Sequence, residues 1–130
     1  MNKNLLETTI LINYFRKTQK AIDYLDSLYI KGNVILVPQI VSAELFFGCR
    51  NIQEEREIED FLSNYCVTTN ISLETMKKSA ELKRTYGKSY ECGLIDMLIA
   101  STALIENAEL VTINIKHFQM IKGLSIIKPY

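Results

Sequence analysis

The chain has 130 residues, of which 48% are hydrophobic and 23% charged, and its formal net charge at pH 7 is zero. This length and composition fit one globular domain spanning residues 1–130, and they exclude disordered and fibrous proteins. A neutral chain has no overall positive field, so any binding of nucleic acid needs a local basic patch.

The three cysteines and the apolar runs place the protein in the cytoplasm. Cys49, Cys66 and Cys92 form no CxxC pair, which argues against a zinc site or a disulfide framework and for reduced thiols. The opening residues lack a signal-peptide cleavage site. The longest apolar run, residues 92–105, is too short for a membrane span of about 20 residues. We therefore expect a cytoplasmic protein that does not enter the membrane.

Short apolar segments alternate with amphipathic ones along the chain. The predicted strands, in order, are NLL, VILV, CVTT, ELVTIN and LSIIK. The predicted helices are ILINYFRK, QKAIDYLDSLYI, QIVSAELFFGC, IQEEREIEDFLSNY, SLETMKKSAELKRTY and Leu94 to about Glu106, with a short helical turn at IKHFQMI. The fourth helix is expected to turn Ile52, Ile58, Phe61 and Leu62 inward, and Ser72 is expected to cap the fifth.

This alternation predicts βα units in an α/β domain, with a short, mostly parallel central sheet covered on both faces. Ligands of such domains bind beyond the carboxyl ends of the strands. Glu7 and Thr112 both fall at such ends.

Three acids stand out from the other twelve because each lies in an apolar context. Glu7 follows a buried strand, Glu44 has only apolar residues and glycine three and four positions away, and Asp96 lies on a helix that is apolar on nearly every side. None has a lysine or arginine placed locally to pair with it. If the three converge, a divalent cation turns their mutual repulsion into binding, because hard cations take oxygen ligands.

Each acid also has an ordinary structural explanation. Asp96 suits the dipole at the first turn of its helix, Glu44 can emerge at the edge of its apolar stripe, and Glu7 can cap the helix that follows it. His117 is the only histidine, and a lone histidine beside Phe118 is more often structural than catalytic.

The stretch LKRTYGKSY brings basic and aromatic residues together just before the Asp96 helix. Lys83, Arg84 and Lys88 can follow phosphates and Tyr86 can stack on an unpaired base, so the stretch is a candidate RNA-binding segment. An ordinary helix end, where cations suit the dipole, is the alternative interpretation.

Four segments in this order resemble the PIN-domain family, and most closely its VapC-type toxin ribonucleases from toxin–antitoxin pairs. The segments are LLETTILINYFR, VSAELFFG, GLIDMLIASTAL and LVTINIKHF. The resemblance covers essentially the whole chain and implies a three-layer α/β/α PIN-like domain.

The resemblance also implies an activity: an endoribonuclease that uses Mg²⁺ or Mn²⁺ to activate the water that hydrolyses an RNA phosphodiester. Glu7, Glu44 and Asp96 would be the catalytic residues and the metal ligands. Residues implied to support the site or contact phosphate are Thr9, Asn13, Thr112, Asn114 and His117. The implied partners are RNA, a cognate antitoxin and a second copy of the chain, with protein contacts on the helix pair of residues 39–65.

The chain departs from the family pattern at its first motif. Glu7 and Thr9 stand where the family usually has Asp and Asn, and Asn13 and His117 stand where further acids are frequent. Glutamate is longer than aspartate by one methylene, about 1.5 Å. A PIN-like domain with an impaired site, acting by binding RNA or a protein, is therefore the alternative function. A metal-free hydrolase with paired carboxylates is a third.

Overall fold

Five short strands alternate with six helices in the computed structural model, which describes residues 2–87 and 92–130. The strands are β1 Lys3–Leu6, β2 Val34–Pro38, β3 Val67–Thr69, β4 Glu109–Val111 and β5 Ile126–Ile127. The helices are α1 Thr8–Phe15, α2 Gln19–Ile30, α3 Gln39–Phe47, α4 Ile52–Tyr65, α5 Leu73–Tyr86 and α6 Leu94–Ile105. A 3₁₀ turn, Ile115–His117, lies between β4 and β5.

The strands form one parallel sheet in the order β3-β2-β1-β4-β5. The central strand β1 pairs with β4 in a register that sets Leu6 opposite Val111. All carboxyl ends of the strands therefore meet at one edge of the sheet. This arrangement confirms the α/β class and the flanked parallel sheet predicted from the alternation of apolar segments.

The central strands and helix α6 form the core. Leu5, Leu6, Leu110 and Val111 are fully buried on β1 and β4, as expected for strands covered on both faces. Every residue of α6 from 97 to 103 is buried, which matches its apolar surface on nearly all sides. The sheet and α6 thus give the first turn of α6 a fixed position near the carboxyl edge.

Side chains cap the starts of α1, α4 and α5. Ser72 caps α5, as predicted, because its Oγ accepts a hydrogen bond from the amide of Thr75. Asn51 caps α4 in the same way through the amide of Glu54. Glu7 caps α1, so this helix begins at Thr8, two residues before the predicted start.

One core prediction on α4 is wrong. Ile58, Phe61 and Leu62 are buried, but Ile52 is 60% exposed. Ile52 is the first residue of α4, where no preceding turn of helix carries its side chain back onto the core. Adjacent residues on α3 point in different directions: Phe46 packs against the core and Phe47 is 94% exposed.

Two further findings concern the cysteines and the helices within the described ranges. Cys49, Cys66 and Cys92 are free thiols. No helix among residues 2–87 and 92–130 has the length and apolar character needed to cross a membrane.

Candidate active site

The candidate site begins where β1 and β4 end side by side. The amide of Glu7 donates to the carbonyl of Val111 over 3.0 Å, which extends the pairing of the two strands by one residue. Glu7 and Thr112 therefore leave the sheet together at its carboxyl edge. Glu7 is only 5% exposed and Thr112 is fully buried.

Neutral donors hold the carboxylate of Glu7. The amide of Thr9 donates to Oε2, which is the capping bond of α1. The side-chain amide of Asn114 donates to Oε1 over 2.9 Å, and the hydroxyls of Thr9 and Thr112 lie 3.4 and 3.5 Å from the same oxygen. A buried carboxylate is thus hydrogen-bonded without being neutralised.

The turn after β4 places the side chain of Asn114 beside the carboxylate of Glu7. Thr112 Oγ1 accepts a hydrogen bond from the amide of Asn114 over 2.9 Å, which folds the chain back at the strand end. Asn114 Nδ2 then reaches Glu7 and also lies 3.5 Å from the hydroxyl of Thr9. These hydrogen bonds join the segment LLETTILINYFR to the segment LVTINIKHF.

Glu44 joins the same edge through helix packing. It lies on α3, which packs against α1 and α6. The hydroxyl of Thr8, the residue after Glu7, donates to Oε1 of Glu44 over 2.6 Å. Glu44 is half-buried, so one face of its carboxylate is held by α1 while access from solvent remains.

Asp96 contacts the only histidine of the chain. It lies in the first turn of α6, its side chain is 24% exposed, and its Oδ2 is 3.0 Å from Nδ1 of His117. Burial raises the pKa of the Asp96 carboxyl; the nearby His117 lowers this pKa, and the negative charge of Glu7 raises it again. Glu7 is therefore near enough to Asp96 for its charge to act on the Asp96 carboxyl.

No lysine or arginine neutralises these acids in the part of the chain that the structure describes. None of the ion pairs there joins Glu7, Glu44 or Asp96 to a lysine or an arginine. As the side chains stand, no three or more of the described His, Cys, Asp and Glu side chains are grouped as ligands of one metal ion. Each carboxylate is instead turned to a protein partner, namely Asn114, Thr8 or His117. The donor set nevertheless consists of the hard oxygens that Mg²⁺ and Mn²⁺ prefer.

Other predicted site residues lie apart from this group. Asn13 donates through Nδ2 to the hydroxyl of Tyr130 over 2.9 Å and contacts none of the three acids through a hydrogen bond within the described ranges. Lys83 and Arg84 are exposed at the end of α5. Tyr86 is half-buried, and its hydroxyl accepts a hydrogen bond from the amide of Lys122. Lys88 lies outside the described residues.

Three contacts around the site involve residues that the sequence analysis did not single out. They are Thr8 with Glu44, Tyr130 with Asn13, and Cys92, whose Sγ donates to the main-chain oxygen of His117 over 3.3 Å. The sequence signal for Thr8 was its place beside Glu7 in the motif ETT. No sequence signal pointed to Tyr130 or Cys92.

A cleft of about 520 Å³ opens beside the site between α1, α3 and α4. Glu44 lies on its wall, so the cleft leads to one of the three acids. The remaining lining residues combine apolar and charged side chains: Ile12, Phe15, Arg16, Leu45, Gly48, Cys49, Arg50, Glu54, Glu57 and Ile58.

Comparison with known proteins identifies relatives over the whole chain. Ribonuclease VapC19 of Mycobacterium tuberculosis is 33% identical over 128 residues, which is 97% of this chain and 98% of that protein. In the crystal structure of VapBC2 from Rickettsia felis bound to a promoter DNA fragment, one chain superposes with a TM-score of 0.82 and 32% identity, covering 96% of this chain and 97% of that one. A toxin–antitoxin complex from Klebsiella pneumoniae gives 0.78 and 28%, with 98% of both chains covered.

The family assignment rests on sequence and fold together. Residues 5–122 match the PIN domain, a range that includes Glu7, Glu44 and Asp96. The parallel sheet and the superposed relatives agree with that match. This chain belongs to the PIN-domain family and has VapC ribonucleases among its relatives.

Proposed function

We propose that this protein is the toxin of a toxin–antitoxin pair and an endoribonuclease that needs a divalent metal ion to hydrolyse RNA in the cytoplasm. One observation carries the proposal: Glu7, Glu44 and Asp96 come from distant segments to one sheet edge, without a lysine or arginine partner in the described chain. The relatives support it, because VapC19 is named a ribonuclease and the K. pneumoniae complex is a toxin–antitoxin complex.

Glu7, Glu44 and Asp96 are the residues that would hold Mg²⁺ or Mn²⁺. A bound divalent ion supplies a water of lowered pKa and stabilises negative charge on the phosphate. Burial is the main cause of the raised pKa of Asp96, and the negative charge of Glu7 adds a smaller rise that a bound cation would offset.

The residues around the acids hold them in position before a substrate arrives. Thr8 fixes one oxygen of Glu44, while Asn114 and Thr9 fix Glu7. Neutral donors suit this role because they orient a carboxylate and leave its charge available to a cation. Thr112 acts on Asn114 through the turn after β4.

The proposed substrate is RNA, and Lys83 and Arg84 are proposed to bind it. Both are exposed near the end of α5 and offer charges that can follow a phosphate backbone. Because the whole chain has zero net charge, such a local group is needed to attract a nucleic acid.

The cleft between α1, α3 and α4 is the proposed binding site for the antitoxin. Its walls carry Ile12, Phe15 and Ile58 beside charged residues, a mixture that suits an amphipathic peptide. Phe47, the last residue of α3, is exposed and is proposed to contact a partner chain, either the antitoxin or a second copy in a homodimer.

RNA cleavage in the presence and absence of metal tests the proposed activity. The purified chain is freed of metal with a chelator, and turnover of an RNA library is measured with added Mg²⁺ or Mn²⁺. Glu44→Gln and Asp96→Asn each remove one negative charge at nearly constant size. Glu59→Gln, at an exposed position of α4, is the matched control.

We expect turnover that needs metal, is abolished in the two site variants and is unchanged in the control. Turnover that continues in excess chelator would favour a metal-free hydrolase. Absence of cleavage with either ion, together with RNA or partner binding that survives both substitutions, would favour a PIN-like domain that acts by binding.

A further inference from the structure

We propose that the ring of Tyr130 is a platform on which an unpaired base of the RNA stacks, and that Asn13 positions this ring. The inference rests on the proposed RNA substrate and adds a residue that binds it. Its starting point is the 2.9 Å hydrogen bond from Nδ2 of Asn13, on α1, to the hydroxyl oxygen of Tyr130, three residues after β5.

Residues 128–130 cross the carboxyl edge of the sheet. The amide of Thr112 donates to the carbonyl of Ile127 over 3.0 Å, so the pairing of β4 with β5 continues to the end of β5. Because all the strands are parallel, the residues after Ile127 leave the sheet at the edge where Glu7 and Thr112 lie. Tyr130 then bonds to α1, the helix that follows β1, so the segment passes the end of β4.

The length of this segment matches the distance that it covers. In the order β1-β4-β5, two strand spacings separate β5 from β1, which is about 10 Å. Pro129 disfavours a helical turn at Lys128, and three extended residues span about 10 Å. Three residues are therefore enough to carry the ring of Tyr130 to α1.

The bond to Asn13 fixes the hydroxyl of Tyr130 one helical turn from the hydrogen bonds around Glu7. Asn13 lies four residues after Thr9, on the same face of α1 and about 6 Å farther along the helix. The hydroxyl of Thr9 is 3.4 Å from Oε1 of Glu7. The ring of Tyr130 therefore flanks the proposed site on the α1 side.

The surroundings of the ring suit an RNA base. Tyr130 is half-buried: it packs against the core and keeps part of its surface open to solvent. Lys128, two residues earlier, is exposed and offers a positive charge to a phosphate. Aromatic rings beside cations bind single-stranded nucleic acid because every base has a face that can stack. The position beside acids proposed to act on RNA favours a base over a protein side chain as the occupant.

Cleavage kinetics and base fluorescence together test the inference. The probe is a pool of short single-stranded RNAs in which the fluorescent base 2-aminopurine replaces each position in turn, and stacking on the ring quenches its emission. Quenching is measured in chelator, and KM and kcat are measured with added Mg²⁺ or Mn²⁺. The variants are Tyr130→Leu, Tyr130→Phe and Asn13→Ala. Tyr29→Leu, at an exposed position of α2, is the matched control, and thermal melting checks each fold.

We expect Tyr130→Leu to lose the quenching and to raise KM by about tenfold or more. Its kcat should change little, because a stacked base is held equally in the ground state and the transition state. Tyr130→Phe and Asn13→Ala should each raise KM by less. Their double variant should resemble either single variant, because both substitutions remove the same hydrogen bond. Tyr29→Leu should match the wild-type chain.

The results that would overturn the inference are distinguishable from a failure of the proposed function. Unchanged KM and quenching in a folded Tyr130→Leu chain that still cleaves RNA would leave the ring to a protein partner and the proposed function intact. A fall in kcat and in Tm at constant KM would give Tyr130 a structural role only. A wild-type chain that neither binds nor cleaves RNA would overturn both the inference and the proposed substrate.

Discussion

Asn114 donates its side-chain amide to Oε1 of Glu7 over 2.9 Å, across the ends of two neighbouring parallel strands. The bond links the first motif of the chain to the last. Because the donor is neutral, the bond holds Glu7 in place without pairing it with a positive charge.

Loss of the Asn114 amide should destabilise the fold. Asn114→Ala leaves a buried carboxylate oxygen with weaker donors, and we expect the free energy of unfolding to fall by about 1–3 kcal/mol. Urea unfolding measures the change. Asn70→Ala on an exposed loop is the control and should stay within about 0.5 kcal/mol of the wild-type value. An equal loss in both variants would contradict a specific role of Asn114.

Thr8 should matter for cleavage more than for stability. Thr8→Val keeps the shape of the side chain but removes the hydroxyl that fixes Glu44. A misplaced catalytic group commonly costs between tenfold and about 100-fold in rate, and we expect kcat to fall in that range. Steady-state kinetics measure the effect, with Thr68→Val on exposed β3 as the control. Unchanged kcat would mean that Glu44 does not depend on Thr8.

Shortening the first acid should strengthen the site. Glu7→Asp retracts the carboxylate by about 1.5 Å toward the position usual in the family. Aspartate is a good capping residue, so α1 should keep its start. We expect tighter Mg²⁺ binding in calorimetry and faster RNA cleavage. If both stay at the wild-type level while the control Glu55→Asp also has no effect, Glu7 acts as a helix cap only.

The raised pKa of Asp96 predicts the sign of a pH effect on stability. The folded chain binds this proton more tightly than the unfolded chain does, so the free energy of unfolding falls as the pH rises above the ordinary carboxyl value of about 3.9. The loss is complete once the pH exceeds the raised pKa.

Removing the Asp96 charge should therefore relieve this loss. At pH 7 in chelator, Asp96→Asn is expected to melt at or a few degrees above the wild-type Tm, and the difference should shrink as the pH falls through this interval. Asp60→Asn, at an exposed position of α4, is the control for the loss of one negative charge. A variant that is less stable than the wild-type chain at pH 7 would contradict the prediction.

Much of the edge of the sheet could be predicted from the sequence because parallel strands align their carboxyl ends. Glu7 and Thr112 each follow an apolar segment, and the register of β1 with β4 sets them side by side. The capping role of Glu7 was likewise one of the alternatives considered for that residue, and the structure confirms it.

Contacts made by packed helices were not predictable in the same way. The bond from Thr8 to Glu44 depends on how α3 lies against α1, and the contact of His117 with Asp96 depends on how the turn after β4 meets α6. Thr8 and Glu44 are 36 positions apart in the sequence, and Asp96 and His117 are 21 positions apart. No local sequence pattern can contain both members of either pair. Ile52 shows the limit of periodicity, because its position at the start of α4 overrides its place in the apolar stripe.

The central claim is that Glu7, Glu44 and Asp96 together bind a divalent cation. A crystal of the chain soaked in Mn²⁺, with data collected at the manganese absorption edge, tests this claim most directly. We predict an anomalous peak within coordination distance of oxygens from these residues. A map without such a peak, from crystals of a protein that still cleaves RNA in excess chelator, would contradict the claim.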